Sequence, residues 1–516
     1  METSAAAPTA AAPSAAETRA PRGTLIVNAT VIDGTGAPRR LAAVRIAAGR
    51  IVEVGDLTPR PDEEVIDAGA KILAPGFIDT HSHADGDIFD HLDATAAVSQ
   101  GITTVVVGQD GESPWPLATF FARLAKTPPT VNVAAYAGHG TLRSRILGED
   151  FRRVATAREV RRMQHLLEKE MRAGAIGLST GLEYDPGIYS DTSELVALAR
   201  TAAAYGGRYI SHVRSEDRHF WSAIDEIIAI GRAARLPVQI SHTKLAMRSL
   251  WGQADQLLAR LEAARAEGID VTGDIYPYLY WQSTLTVLFP ARDFTDLRES
   301  EFAVREVAPP EGLLVTQFDA QPEYAGRTLL DIAALRNASP AQALMDLIAM
   351  SEARRKLTGD GGESVIGTSM TEPDLERLMA WPRMNFCTDG GLAGEHPRGY
   401  GTYPRILGRT IRERGVLTLE EGIRKMSGLA AAHIGLADRG TIRPGMAADL
   451  VLFDADTVLD RATTGNPHAL SDGILRVMVA GETVYRDGRT TESRPGKVLR
   501  RTATPPAAAA QGTTDS

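Results

Sequence analysis

The sequence predicts an α/β fold, a (β/α)8 TIM-like barrel with a small composite β-sandwich built from both ends of the chain and an inserted subdomain. Three observations lead there. Through the middle of the chain, apolar β-branched runs alternate with amphipathic segments, the pattern of a parallel sheet covered by helices. Short strands punctuated by turns bracket that stretch on both sides. Between about residues 285 and 370 a long, charged stretch interrupts the alternation.

Taken in order, residues 1–22 are rich in Ala, Pro, Ser and Thr and lack the basic start and apolar core of a secretory signal, so a disordered tail is expected. Segments 25–33, 44–46, 50–54 and 65–67 are strand-like and separated by turn residues such as Gly34 and Gly49, which predicts a small antiparallel sheet. The barrel is expected over 75–439. Residues 102–107 form a continuous apolar and β-branched run, the mark of a strand buried on both faces. Comparable runs fall at 131–136, 175–179, 208–212, 237–242, 269–274 and 383–388, and 159–172, 194–204 and 221–234 show helical periodicity. About eight such strands over more than 300 residues favour a closed barrel over an open doubly wound sheet. No Gly-x-Gly-x-x-Gly opens a helix after a strand, which weighs against a dinucleotide site. The interruption at about 285–370 reads as a subdomain or lid inserted in the barrel. Short strands return after Arg439, and 23–74 and 440–500 are expected to fold together. Residues 501–516 read as a second disordered tail.

Composition narrows the function. The 516 residues are 43% apolar and 23% charged, ordinary for a globular protein with a sizeable core. A net charge of −9 leaves no basic footprint for nucleic acid. No run of eighteen apolar residues is present, so no membrane span is expected. One cysteine, Cys387, rules out an internal disulfide and fits a reducing cytoplasm. With a single thiol, any metal site has to draw on His and carboxylates. The expected partner is a small-molecule substrate, and the oligomeric state is left open.

The chemistry gathers first on Pro75-Gly76-Phe77-Ile78-Asp79-Thr80-His81-Ser82-His83. A turn and an apolar strand deliver His81 and His83, which lie two residues apart and therefore on one face. Two such imidazoles are half of a divalent-metal site, with Zn2+ the natural occupant. His212 ends Tyr209-Ile210-Ser211-His212, and His242 ends Val238-Gln239-Ile240-Ser241-His242. The spacing of thirty residues (242 − 212) is that of a βαβ unit. The two histidines should then share the carboxyl rim, where barrel active sites sit. Asp389, after Cys387 and Thr388, is placed to bind metal, to act as a base toward an activated water, or both. Asp110, in Gly108-Gln109-Asp110-Gly111, is a candidate ligand for the same reason. Both aspartates also fit ordinary Asp-Gly turns. Glu183 is a weaker candidate ligand, and His139 a candidate for the mouth. His91, His165, His219 and His433 read as helical or solvated residues without a role.

With these residues in place, the chain resembles the N-acyl-D-amino-acid deacylase (D-aminoacylase) branch of the amidohydrolase superfamily. The matching motifs include PGFIDTHSH, GITTVVVG, GAIGLSTGLEYDPG, SHVR, ISHTK, DIYPY, HPRGYGTYPRILG and DRGTIRPGMAADLVLFD, and they run from about residue 25 to 500. The resemblance implies hydrolysis of N-acyl-D-amino acids to a carboxylic acid and a D-amino acid. It implies one or two Zn2+ ions, with another divalent ion as the alternative. His81 and His83 become first-strand ligands, His212 and His242 ligands of the tightly held zinc, and Asp389 the general acid/base that also reaches metal. Lys244, Arg398 and one of Tyr276 and Tyr278 become the groups that hold the substrate carboxylate. The chain departs from the family at Asp110, which stands where relatives often carry a cysteine thiolate, and a carboxylate is the harder ligand.

Two rival functions are a cyclic amidase of the dihydroorotase or hydantoinase type and a non-catalytic barrel used as a binding module. The first usually carries a carbamylated lysine at a barrel strand end, and no lysine ends a strand near 175–184. The second does not account for four placed histidines and Asp389.

Overall fold

The computed structural model describes residues 23–501. The tails expected to be disordered, 1–22 and 502–516, lie outside the described residues. Eight strands form the barrel: β1 (Phe77–Asp79), β2 (Ile102–Val107), β3 (Asn132–Ala135, continued by Ala137–Gly138), β4 (Gly177–Gly181), β5 (Arg208–His212), β6 (Val238–Ile240), β7 (Val271–Ile275) and β8 (Met384–Phe386). All pairings from β1 round to β8 are parallel. Helices such as Ala157–Ala173, Thr192–Ala204 and Phe220–Ala234 return the chain between strands. The first starts two residues ahead of the periodic stretch because Thr156 and Glu159 close a capping box, satisfying the free N–H groups of its first turn.

Alternation along the strands builds two layers. Ile78, Val106, Ala134, Ile176 and Ile210 turn inward and meet one another inside the barrel. Val105, Val107, Val133, Ala135 and Tyr209 turn outward and pack with the surrounding helices. Neighbouring residues of one strand thus serve opposite faces. Burying each of these Val and Ile side chains stabilises by about 1.5–3 kcal/mol.

Closure between β1 and β8 is made by individual side-chain and backbone hydrogen bonds, since no ladder joins them among the described residues. Thr388 donates from its backbone N–H to Asp79 Oδ1 (2.9 Å) and from its hydroxyl to Asp79 Oδ2 (2.5 Å). Asp389 N–H donates to the His81 carbonyl at 2.9 Å. The buried Tyr403 hydroxyl lies 2.8 Å from the Ile78 carbonyl and 3.1 Å from the Phe386 carbonyl.

The two ends of the chain meet in one nine-stranded sheet, where Leu450–Phe453 pairs antiparallel with Ile72–Pro75. Leu450 and Leu452 face the sheet's own core, and Val451 and Phe453 face the barrel. The sheet is mixed, not antiparallel as expected. Gly23–Val31 runs parallel to both Glu63–Asp67 and Ile72–Pro75, because the hairpin of Arg40–Ala47 and Arg50–Gly55 returns the chain in its original direction. The insertion begins at Tyr280, ahead of the expected 285. Three antiparallel strands, Tyr280–Ser283, Leu313–Phe318 and Glu363–Thr368, enclose a separate core that includes Trp281, Phe318 and Leu344. Among the described residues no helix is long and apolar enough to cross a membrane.

If Tyr403 clamps the barrel seam, Tyr403→Phe removes a buried donor shared by the Ile78 and Phe386 carbonyls. A loss of about 1–3 kcal/mol is expected, read from urea denaturation of the metal-free protein. An unchanged midpoint would mean that the seam holds without it.

Candidate metal centre

His81, Asp110, His242 and Asp389 each offer a ligand atom, and these atoms lie within 4.8 Å of one another. They arrive from the rim ends of β1, β2, β6 and β8. His83 Nε2 joins them, 3.1 Å from Asp389 Oδ1 and 3.4 Å from Asp110 Oδ2. His212 Nδ1 faces His242 Nε2 at 3.0 Å. The register explains that approach: Gly181 pairs with His212 and Ser211 with Ile240, so His212 and His242 stand beside each other at the top of adjacent strands. His212 falls in a second close group with His242 and Glu216.

Three of these residues carry left-handed backbone. φ is 51° at Asp110, 51° at Asp389 and 32° at His242. Each lies just past its strand, and the turn swings the side chain back over the barrel mouth. Such conformations cost about 1–3 kcal/mol each in non-glycine residues and persist where surrounding bonds hold them. His242 is held by its N–H, which donates to buried Asp274 Oδ1 at 2.5 Å. The Asp110 loop rests on Gly181, where a Cβ would come within 2.0 Å of the Asp110 carbonyl oxygen.

The donor set suits a divalent cation. Both ring nitrogens of His81 and Oδ1 of Asp110 are buried and lack a hydrogen-bond partner among the described residues. Each unsatisfied group costs about 1–3 kcal/mol, which coordination would remove. Imidazoles with carboxylates, and no thiolate, accept Zn2+ and also harder ions such as Mn2+. Burial and the nearby Lys244 oppose a charge on His242, yet Glu216, Asp389 and Asp110 raise it to about 10. Burial likewise opposes ionisation of Asp389, but Arg398 and His242 hold it well below the usual carboxylate range. The site is thus built to hold positive charge.

A cavity of about 910 Å³ opens from this cluster. Lys244, Tyr276 and Arg398 stand on its wall. Arg398 Nη1 donates to Asp389 Oδ2 at 2.6 Å, while its Nε and the Tyr276 hydroxyl are buried and unpartnered among the described residues. The Arg398 guanidinium carbon lies 4.9 Å from the Tyr276 ring centre. Lys244 Nζ bonds both oxygens of Glu216, at 2.7 and 2.9 Å. Tyr278 is off the cavity wall: Pro277 breaks the strand alternation after Ile275, and the Tyr278 hydroxyl donates to the Pro397 carbonyl at 3.3 Å. His139 is not at the mouth either, being buried 2.7 Å from Glu194. His433, read as having no role, is buried 2.8 Å from Asn385 Oδ1. Sequence reasoning passed over Glu216 and Asp274. Glu216 lies one helical turn's distance after His212, and that spacing was its only signal.

Asp110 is the residue to test by metal content. Asp110→Cys should keep more zinc than the wild type after dialysis against a mild chelator, because thiolate is the softer ligand. Asp110→Ala should lose most of it. Equal zinc in all three proteins would leave Asp110 a turn residue.

A family model described as "Amidohydrolase family" matches residues 64–317 and 325–485. N-acyl-D-glutamate deacylase of Alcaligenes xylosoxydans xylosoxydans is 38% identical over 499 residues, covering 92% of this chain and 95% of its own length. D-aminoacylase of the same organism is 35% identical over 507 residues, covering 93% and 98%. The crystal structure of N-acyl-D-glutamate deacylase from Bordetella bronchiseptica, complexed with zinc and a phosphonate mimic of the tetrahedral intermediate, matches with a TM-score of 0.82. That match has 36% identity and covers 93% of this chain and 99% of that one. Barrel, metal cluster and likeness along nearly the whole chain agree, and the protein belongs to the amidohydrolase family.

Proposed function

We propose that this protein hydrolyses the amide bond of N-acyl-D-amino acids, releasing a carboxylic acid and a D-amino acid. One observation carries the reading. The His/Asp cluster and a set of buried donors, Arg398 Nε and the Tyr276 hydroxyl, share one cavity. An N-acyl amino acid has a scissile carbonyl and, one carbon beyond its nitrogen, a carboxylate. The similar proteins are an N-acyl-D-glutamate deacylase and a D-aminoacylase, which supports the D configuration.

His81, His83, Asp110, His212, His242 and Asp389 would hold the metal. Zinc, when bound, lowers the pKa of water toward about 7 and polarises a carbonyl oxygen. Asp389 takes the proton of the attacking water and passes it to the leaving nitrogen. Its bond to Arg398 keeps it ionised and aimed at the cluster. Arg398 has a second task, since Nε remains free to meet the substrate carboxylate beside the Tyr276 hydroxyl. Lys244 adds positive charge at that end, shared with Glu216. The insertion supplies the apolar wall through Trp281, Leu288, Phe294 and Val307, which face the acyl group or the amino-acid side chain. A single buried thiol, Cys387, suits a reducing, cytoplasmic setting.

A panel of N-acetyl and longer N-acyl D- and L-amino acids, supplied with zinc, tests the reading. Hydrolysis of D substrates that stops on chelation is expected. A metal-loaded protein inert toward the whole panel would refute it.

Asp389→Asn should keep metal but lose roughly 10²–10⁴ in turnover, because an amide cannot accept the proton. Near wild-type turnover would remove Asp389 from the reaction. Arg398→Lys should raise KM for N-acyl amino acids about 10–100-fold, as expected for a lost charge-assisted bond. The matching N-acyl amides, which lack the carboxylate, should show a smaller rise. Turnover should fall for both substrate types, since Asp389 loses its partner. Equal KM effects on acids and amides would leave Arg398 with the Asp389 role alone.

A further inference from the structure

Glu183 follows β4 on the rim and is not a member of either close ligand group. Both its oxygens are already used. Oε1 accepts the backbone N–H of Glu216 at 2.6 Å, and Oε2 lies 3.0 Å from His212 Nε2. His212 Nε2 is the outer ring nitrogen. The inner one, Nδ1, faces His242 Nε2 at 3.0 Å and the Tyr184 hydroxyl at 3.2 Å. A neutral imidazole carries one proton, and the nitrogen that bears it cannot bind metal. Ligating histidines commonly donate that proton to a carboxylate, which fixes tautomer and ring orientation and raises ligand basicity.

We propose that Glu183 is a positioning residue that holds the proton of His212 on Nε2 and so presents Nδ1 to the metal. The inference rests on the metal reading of the cluster. The loop that bears Glu183 is fixed from the insertion side. Arg292 donates from Nη2 to the Glu183 carbonyl at 2.6 Å and from Nε to Asp185 at 3.0 Å. Arg292 itself has left-handed backbone, φ 56°, which marks a constrained contact. The insertion therefore braces the outer partner of a metal ligand as well as lining the cavity. This role differs from that of a ligand. Glu183 contributes no electron pair to the ion, and its removal leaves all the ligating side chains in place.

The test compares wild type, Glu183→Gln, Glu183→Ala and His212→Ala, using zinc alone as the probe. Zinc dissociation constants come from chelator competition, and ring tautomers of the metal-free proteins from long-range 1H–15N NMR. Glu183→Gln keeps the size of the side chain, so it reports even if the alanine variant fails to fold. Its dissociation constant should rise about 10–100-fold, the range found when such outer partners are removed. The His212 ring should change from the Nε2–H form to a mixture of tautomers, and the melting temperature of the metal-free protein should stay close to wild type. Zinc affinity within twofold of wild type in Glu183→Gln would overturn the proposal, and so would a lowered melting temperature with affinity unchanged. If His212→Ala also binds zinc like wild type, the reading of His212 as a metal ligand fails, and the role of Glu183 with it. If only the Glu183 variants do, that reading stands and the role of Glu183 falls.

Discussion

The structure turns on the meeting of imidazoles and carboxylates at the barrel rim. Ligand atoms of His81, Asp110, His242 and Asp389 are packed within 4.8 Å in a largely buried site. Burying carboxylates this close is unfavourable unless positive charge is near, because like charges at short range in a low dielectric repel strongly. Metal-free, the cluster meets that need with protons and Arg398, which is why His242 is raised to about 10. A divalent ion meets it better, since it also satisfies the orphaned His81 Nε2. The barrel's task is to hold these groups together against their own repulsion.

The β1–β8 seam shows how the fold does so. Asp79 grips Thr388 through two hydrogen bonds, and the next residue, Asp389, bonds back to the His81 carbonyl. The seam that closes the barrel therefore also sets the distance between a first-strand histidine and Asp389. Left-handed backbone at Asp110, His242 and Asp389 adds local cost, and the bonds around them hold that cost in place. A site on free loops could not keep three strained residues aligned.

Much of this is legible in the sequence, for specific reasons. His212 and His242 repeat one local context at βαβ spacing, and parallel strands in register turn that repeat into adjacency. Asp110 and Asp389 look like turn residues, and they are. The turn reading and the ligand reading do not compete, because the left-handed turn is what aims the carboxylate. Less visible are contacts that cross the barrel. Nothing in the one-dimensional pattern pairs Lys244 with Glu216, or sets Asp274 under His242. Tyr276 and Tyr278 share a strand face on paper, but β7 ends at Ile275 and Pro277 sends the second ring elsewhere. The insertion shows as a broken rhythm. Its first strand escapes notice because the partner, Glu363–Thr368, lies about eighty residues away.

The two ends of the cavity are linked by Arg398. Nη1 holds Asp389, and in the proposed reaction Nε and the Tyr276 hydroxyl are the unpartnered donors left for the substrate carboxylate. A planar guanidinium can serve both at once because its donors point in fixed, diverging directions, which an ammonium group does not offer. The arrangement ties recognition to chemistry. A substrate that engaged Nε would also fix the plane of the guanidinium, and with it the carboxylate proposed to move the proton. A substrate without the carboxylate leaves that plane free to tilt about its bond to Asp389. On the proposed reading, discrimination for N-acyl amino acids over simple amides would then arise in turnover as well as in binding, because the same rigid group is shared by the two sites.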